Sequence, residues 1–428
     1  MSRLLKMLLG VPILAATALS PAVAAQELLY TRDHVLEHLK EQSSNPGSLQ
    51  QQAIEGLKNR LKHSQPPDPF ILDAATFDFG WCRPPERNKT LKDLSSRLEK
   101  QSSHARDMAH LYIYTGNTDA LKDAYRYFKA WSDTSTLFNA YELGMIPEKA
   151  DFPGKEEGFC NRSWNMMLDS IWQTYGLINF SQVYLTLANH HQKIAVDRSD
   201  IKQLEHWLVT DLAAAVNAGL HAWTRWADAH PNSKAYARYR ADNHIAWALA
   251  GLGAAAQATD NRAVMDYVVH GASYGDQHSK GHAGDYANPS HLTAFIALAI
   301  GDDGKVYDEQ IRAAQHKGFF YANFSLWAML HTSISALSFY TEDDNELADS
   351  MNRLKRGLRQ YAKRVSGAEG MQDPLEKTEP AFFSFNYKLA TQWLEHDPTF
   401  CKAANAKKQQ VLRQSLGSTA LTTITCED

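Results

Sequence analysis

The sequence predicts an all-α fold, an α/α toroid built as an incomplete barrel of helical hairpins, and three observations predict it. Alanine and leucine outnumber isoleucine and valine, and helix-compatible stretches cover most of the 428 residues. Long alternating strand patterns are scarce. The recurring unit is a pair of helices joined by a short turn, with longer loops between pairs, which is how a ring of hairpins leaves a groove at one end. No strict repeat of the tetratricopeptide or ankyrin kind is present.

Residues 1–25 read as a secretory leader. Arg3 and Lys6 precede an apolar run from Leu8 to Leu19, and Ala22-Val23-Ala24 supplies small residues for cleavage near Ala24 or Ala25. A periplasmic or exported protein is expected, with residues 26–428 as a single domain. No later stretch offers about 18 uninterrupted apolar residues, so no membrane insertion is expected. The formal net charge is -4, and loss of the leader takes away two cations. Phosphate binding calls for clustered Lys and Arg, so nucleic acid is excluded as a partner class. Cys82, Cys160, Cys401 and Cys426 show no metal-type spacing; in an oxidising compartment Cys401 is expected to pair with Cys426 and Cys82 with Cys160.

Along the chain, Glu27 to Lys62 predicts two amphipathic helices broken at Ser43 to Ser48 by Asn-Pro-Gly. Three long loops, at about 64–90, 133–160 and 273–290, are predicted groove walls. In the first, Asp78, Trp81, Arg83 and Arg87 suit sugar or carboxylate contact, or equally a structural cover. Leu91 to Trp131 is a helical hairpin turning at Gly116-Asn117. Asn161-Arg162-Ser163-Trp164 opens a helix running to about His190, and Ser199 or Asp200 caps the next. The helix that opens within Tyr236 to Ala250 pairs with a partner capped at Asp260. Further helices are expected at about His291–Ile300, Phe319–Tyr340, Asn345–Lys363 and Pro380–Glu395.

The densest polar cluster is YARYRADNHIAWALA, Tyr236 to Ala250. At helical pitch Arg240, Asn243 and Trp247 share a face, so one surface carries cation, amide and aromatic, with His244 beside it. Three chemistries can use such a groove. Hydrolysis of a sugar bond needs two flanking carboxylates, and Asp78, Glu142, Asp169, Asp242 and Asp285 supply acids without a readable pairing. A metal site could draw on His278, His282, Asp285 and His291, but Gly281 and Gly284 oppose a helix there, so no metal and no cofactor is expected. β-Elimination from a uronic acid polymer needs an amide or guanidinium to hold the carboxylate while its charge grows, with histidine or tyrosine as base and acid. Asparagine, histidine and arginine stand together in this stretch.

Asp242-Asn243-His244-Ile245-Ala246-Trp247 resembles the Asn-Asn-His-x-x-Trp signature of periplasmic alginate lyases, α/α toroids that cleave polymannuronate. Leu91 to Trp131 is similar to that family's early hairpin, Arg162-Ser163-Trp164 to its Arg-Lys-Trp, and Phe320-Tyr321-Ala322-Asn323-Phe324 to its Tyr-His-Asn-Tyr. The resemblance covers roughly residues 90 to 395, and the Asn-His-x-x-Trp motif is its most specific part. It implies a polysaccharide lyase whose partner is an anionic polysaccharide, alginate or a related polyuronate such as glucuronan. Asn243 would neutralise the carboxylate and His244 would act as base or stabiliser. The family's catalytic tyrosine falls on Phe324, which cannot transfer a proton, so Tyr321 is the expected phenol and Lys317 its cationic helper. Tyr286, on the glycine-rich insertion, is the second candidate. Asn161, Arg162, Trp164, Arg240 and Trp247 complete the expected substrate contacts. A non-catalytic polysaccharide-binding or export protein, or a glycoside hydrolase on the same fold, are the alternatives.

Overall fold

The computed structural model describes residues 27–71, 89–137, 170–229, 240–273, 287–341, 344–367, 381–394 and 396–406. The chain opens with α1 (Asp33–Gln42) and α2 (Leu49–Lys62), then forms the hairpin of α3 (Lys89–Thr115) and α4 (Thr118–Thr134). Gly116, at φ +69°, makes the turn, and the Asn117 side chain caps α4 by accepting from the Asp119 and Ala120 amides. Next come α5 (Thr174–His190), α6 (Arg198–His206) and α7 (Ala213–Ala229), the last two joined without a break by one π-helical turn, Trp207–Leu212. The remaining helices are α8 (Asn243–Ala258), α9 (Arg262–His270), α10 (Leu292–Ala299), α11 (Tyr307–Arg312), α12 (Gly318–Ala336), α13 (Asn345–Val365), α14 (Ala381–Trp393) and α15 (Pro398–Ala404).

Two expected caps are corrected. Asn261, not Asp260, accepts from the Val264 amide to start α9, while Asp260 occupies a left-handed turn at φ +51°. α6 begins at Arg198 after Asp197, with no side-chain cap. The short helix α11 has no counterpart in the sequence pattern. A lone antiparallel bridge between Ile300 and Val306 turns the chain from α10 into it.

The helices sort into two layers. In α5, α8 and α12 nearly every residue is buried, including glycines, alanines and serines on what would otherwise be outer faces. A helix apolar on all sides must be covered on all sides. By contrast α4, α9 and α13 bury one stripe and expose the other. The inner helices pack in the order α3, α5, α8, α12, α14, as an arc. Its two ends are spanned by Leu28, Leu29 and Tyr30, which are at most 1% exposed. The Trp393 indole at the end of α14 donates to the Tyr30 carbonyl at 3.0 Å, and the Tyr30 ring lies 4.2 Å from that of His331 in α12. α1, which follows directly, packs on α3.

The inner helices approach closely. A Cβ on Gly251 would stand 2.2 Å from Thr174 Oγ1, so only glycine lets α8 meet α5 at this point. Thr174 uses that proximity to donate its hydroxyl to the Trp247 carbonyl at 2.7 Å. Gly251→Ala is therefore expected to lose about 1–3 kcal/mol by forcing the helices apart. Thermal unfolding checks this, and an unchanged melting temperature would show that the contact is slack.

Two inner histidines are held neutral. Burial pushes His331 from 6.5 down to about 3, and its Nε2 accepts from the Trp327 indole at 2.8 Å. Burial, with the Arg106 charge adding, takes His110 from 6.5 to about 3. Both folded values are depressed, so the stability they contribute is whole above about 6.5 and is lost as pH falls toward about 3. Urea midpoints should fall across that window. A constant midpoint would mean that both rings protonate inside the fold.

Candidate active site

The site is built on the first turn of α8. Asp242 precedes the helix in an extended conformation, and its Oδ1 accepts from the His244 amide at 3.1 Å. Its Oδ2 lies 3.0 Å from His244 Nδ1. An ionised carboxylate can only accept, so Nδ1 carries a hydrogen, and in the neutral imidazole the lone pair is then on Nε2. Two indoles hold the imidazole, Trp172 edge-on at 5.3 Å and Trp223 at 4.9 Å. His244 is 8% exposed.

Asn243 occupies the first helical position and is fully buried, yet neither Nδ2 nor Oδ1 has a hydrogen-bond partner. An orphaned amide in a folded interior is uncommon and calls for an explanation. Here it stands at the positive end of a helix whose first amides have no intrahelical acceptors, a place that favours an anion.

The opposite side comes from α11 and α12. Tyr321, half-buried in the first turn of α12, has the Arg312 guanidinium 4.5 Å above its ring. Arg312 is itself buried, with no partner for Nε. Asp308, one turn earlier in α11, accepts a hydrogen bond from Ser325. Burial and the nearby Asp242 charge raise its carboxyl to about 7, against the pull of Ser325, His244 and Arg312. Tyr175 of α5 closes the cluster: it stacks with Trp172 at 5.5 Å and meets Trp247 at 5.3 Å. Burial, then the neighbouring Glu99 and Tyr321, push its phenol well above the usual range. His244, Asp242, Asp308, Arg312, Tyr321 and Tyr175 thus form one electrostatically connected group.

A model of the family described as alginate lyase matches residues 40–338, most of the chain and all of this group. The chain belongs to the alginate lyase family. No individual curated protein matches it significantly. Membership makes it a polysaccharide lyase acting on an anionic polysaccharide, on an all-α toroid.

Within the lyase, the expected residues fall in different places. Asn243 and His244 open α8, and Tyr321 joins their group through Arg312, Asp308 and Tyr175. Lys317 is exposed in the position before α12; the cation over Tyr321 is Arg312. Trp247 has no exposed surface and packs behind the site against Tyr175, Phe324 and Trp327, 4.8–5.5 Å away. Asn323 is structural, accepting from Tyr387 and donating to the Phe319 carbonyl. Arg240 is half-buried and donates to Ser290 Oγ at 2.9 Å, beside the 273–290 loop. Asn161, Arg162, Trp164 and Tyr286 lie outside the described residues, as do residues 1–25, Cys82, Cys160, Cys426, His278, His282 and Asp285. Cys401 sits on α15.

Sequence reasoning missed Arg312, Asp308, Trp172 and Tyr175. The two aromatics are spaced i, i+3 inside the helix expected to run from Asn161 to about His190, a signal that could have marked them as one face. Among the described residues no three His, Cys, Asp or Glu gather as a metal site, and no helix is long and apolar enough to cross a membrane.

If the Asn243 amide is reserved for substrate, Asn243→Leu should stabilise the free protein by about 1 kcal/mol, by removing an unsatisfied polar group, while lyase activity is lost. A drop in melting temperature would assign the amide to structure instead.

Proposed function

We propose that this lyase cleaves a uronate polymer, alginate rich in mannuronate or a related polyuronate such as glucuronan, by β-elimination. The buried, unpartnered amide of Asn243 at the N-terminus of α8 carries this reading. A uronate carboxylate placed there would receive the Asn243 side-chain N–H and face the positive end of the helix. As the C5–H bond breaks, charge moves onto that carboxylate, and donors fixed in advance hold it better there than in the ground state. The C5 electron pair forms the C4–C5 double bond, and the C4–O bond breaks to release the glycosidic oxygen, which takes up a proton.

His244 and Tyr321 are the groups that move protons. In the neutral His244 ring the lone pair is on Nε2, because Asp242 accepts from Nδ1. Where the C5 proton and the leaving oxygen lie on one face of the sugar, Tyr321 serves both in turn. Where they lie on opposite faces, His244 takes the proton from C5 and Tyr321 gives one to the oxygen. Arg312 stands over the Tyr321 ring at the moment the phenol carries charge. Trp172 and Tyr175, stacked and half-buried, offer a face for a sugar ring. The leader-like composition of residues 1–25 supports a periplasmic location for this activity under the same proposal.

Incubation of the mature protein with a panel of uronate polymers should produce the ultraviolet absorbance of a C4–C5 double bond. His244→Ala and Tyr321→Phe should each lower that rate by at least about 100-fold with the helical fold intact. Reducing ends without the chromophore would indicate hydrolysis. Full activity in Tyr321→Phe would move the phenol's role to Tyr175 or Tyr286, which the corresponding Phe variants would separate.

A further inference from the structure

Tyr321 stands in the first turns of α12 between two phenylalanines. The Phe320 ring lies 5.3 Å from it and the Phe324 ring 6.5 Å, and all three are half-buried. Phe320 and Phe324, one helical turn apart, stack on each other at 5.6 Å with 23° between their planes. Phe320 also meets Phe383 of α14 at 5.6 Å, and Phe324 leans on Trp247 of α8 at 4.8 Å. Trp247 in turn touches Tyr175 at 5.3 Å. The phenylalanine pair is therefore continuous with the candidate site through Tyr321 and through Trp247.

Two stacked phenylalanines offer a ligand C–H groups and nothing that donates or accepts a hydrogen bond. A sugar hydroxyl pressed against them would give up water and gain no partner. Stacking of a whole sugar ring, the usual work of an aromatic in a carbohydrate site, needs an open aromatic face. Phe324 already has Phe320 stacked on it and Trp247 leaning against it at 43°. What it leaves open is a rim, which suits a methyl group better than a pyranose. The family's motif carries tyrosine at this position, so the hydroxyl-free rim belongs to this chain.

The chemistry of the sugar says what such a methyl group can belong to. In the elimination Tyr321 works at the C4 oxygen, while the carboxylate on C5 is held at the start of α8. The next substituent round the ring is the oxygen on C3. A group attached there falls beside whatever holds the C4 oxygen, and the side chains that flank Tyr321 are Phe320 and Phe324. We propose that this lyase acts on a polyuronate esterified on its ring hydroxyls, with Phe324, backed by Phe320, taking the methyl end of an O-acetyl group next to the scissile bond. The proposal rests on the lyase reading and names the substrate class of the same site. Esterification removes the hydroxyl hydrogen, so no donor is stranded against the rings. The ester is recognised and stays intact; the bonds made and broken are those of the elimination.

The test gives the full-length mature protein one mannuronate-rich polymer in two forms, chemically O-acetylated and de-esterified, and follows the C4–C5 double bond. Added bulk on C3 slows a lyase whose site is shaped around the free hydroxyl. Here the acetylated form should have a kcat/KM about 4-fold higher, the factor that burial of one methyl group supplies. Phe324→Leu keeps the rim apolar and should keep the preference. Phe324→Tyr places a hydroxyl on the rim and should bring the ratio of the two forms to about 1, whatever it does to the absolute rates. Phe320→Tyr serves if that variant fails to fold. Equal kcat/KM on the two forms in the wild type, or faster cleavage of the de-esterified one, overturns the proposal and leaves the lyase reading standing. If neither form yields unsaturated product, the lyase reading falls, and calorimetric binding of the same two polymers decides the acyl contact by itself. Tighter binding of the acetylated form, lost in Phe324→Tyr, supports the contact; equal binding overturns it.

Discussion

The Asp242 carboxylate carries two obligations with its two oxygens, and the site depends on both. One oxygen takes the His244 amide and starts α8; the other takes the His244 ring and fixes its tautomer. Backbone and side chain of the same residue are therefore oriented by one buried group. Because the cap defines where the helix begins, it also places Asn243 in the first turn, where the backbone amides have no intrahelical acceptors and the His244 amide is taken by Asp242. Everything the toroid does for this cluster amounts to surrounding that turn with apolar walls, which strengthen the electrostatics inside.

The walls come from the same helices that form the inner layer. α5 supplies Tyr175 and, next to it, the Thr174 hydroxyl that ties it to α8, and Trp172 comes two residues before the helix. α12 supplies Tyr321 and Ser325 and, deeper, the Trp327–His331 pair behind Trp247. Each helix thus has a wet end and a dry end on one continuous face. Close packing of the dry ends fixes where the wet ends stand.

How far this was legible in the sequence differs by residue. The helical hairpins and the Asp-Asn-His-x-x-Trp run were readable because local periodicity and a compact motif do not need tertiary information. Arg312 was not. It reaches Tyr321 only because the chain reverses at His316, a non-glycine residue at φ +51°, and nothing in the local pattern announces a left-handed turn there. Lys317, nearer in sequence, was the natural expectation and lies on the exposed side. Asp308 sits in a six-residue helix too short to show a period. Trp247 was read as a sugar contact because its spacing from Asn243 puts both on one stripe, but that stripe is the inner one, and helical geometry alone cannot say which face a ring of helices turns inward.

The segment Leu28–Tyr30 docks on the α14 end of the arc through a hydrogen bond between residues 363 positions apart, and α1, which follows it, packs on α3 at the other end. A row of stacked hairpins without such a link can fray from either end, each unit held only by its neighbour. Here the segment and α1 link the terminal inner helices, so loosening α14 exposes the buried strap. The link is also among the longest loops that folding has to close, which makes sealing of the ring a late event. The barrel would then acquire its rigidity in one step, when its first buried residues meet its last inner helix.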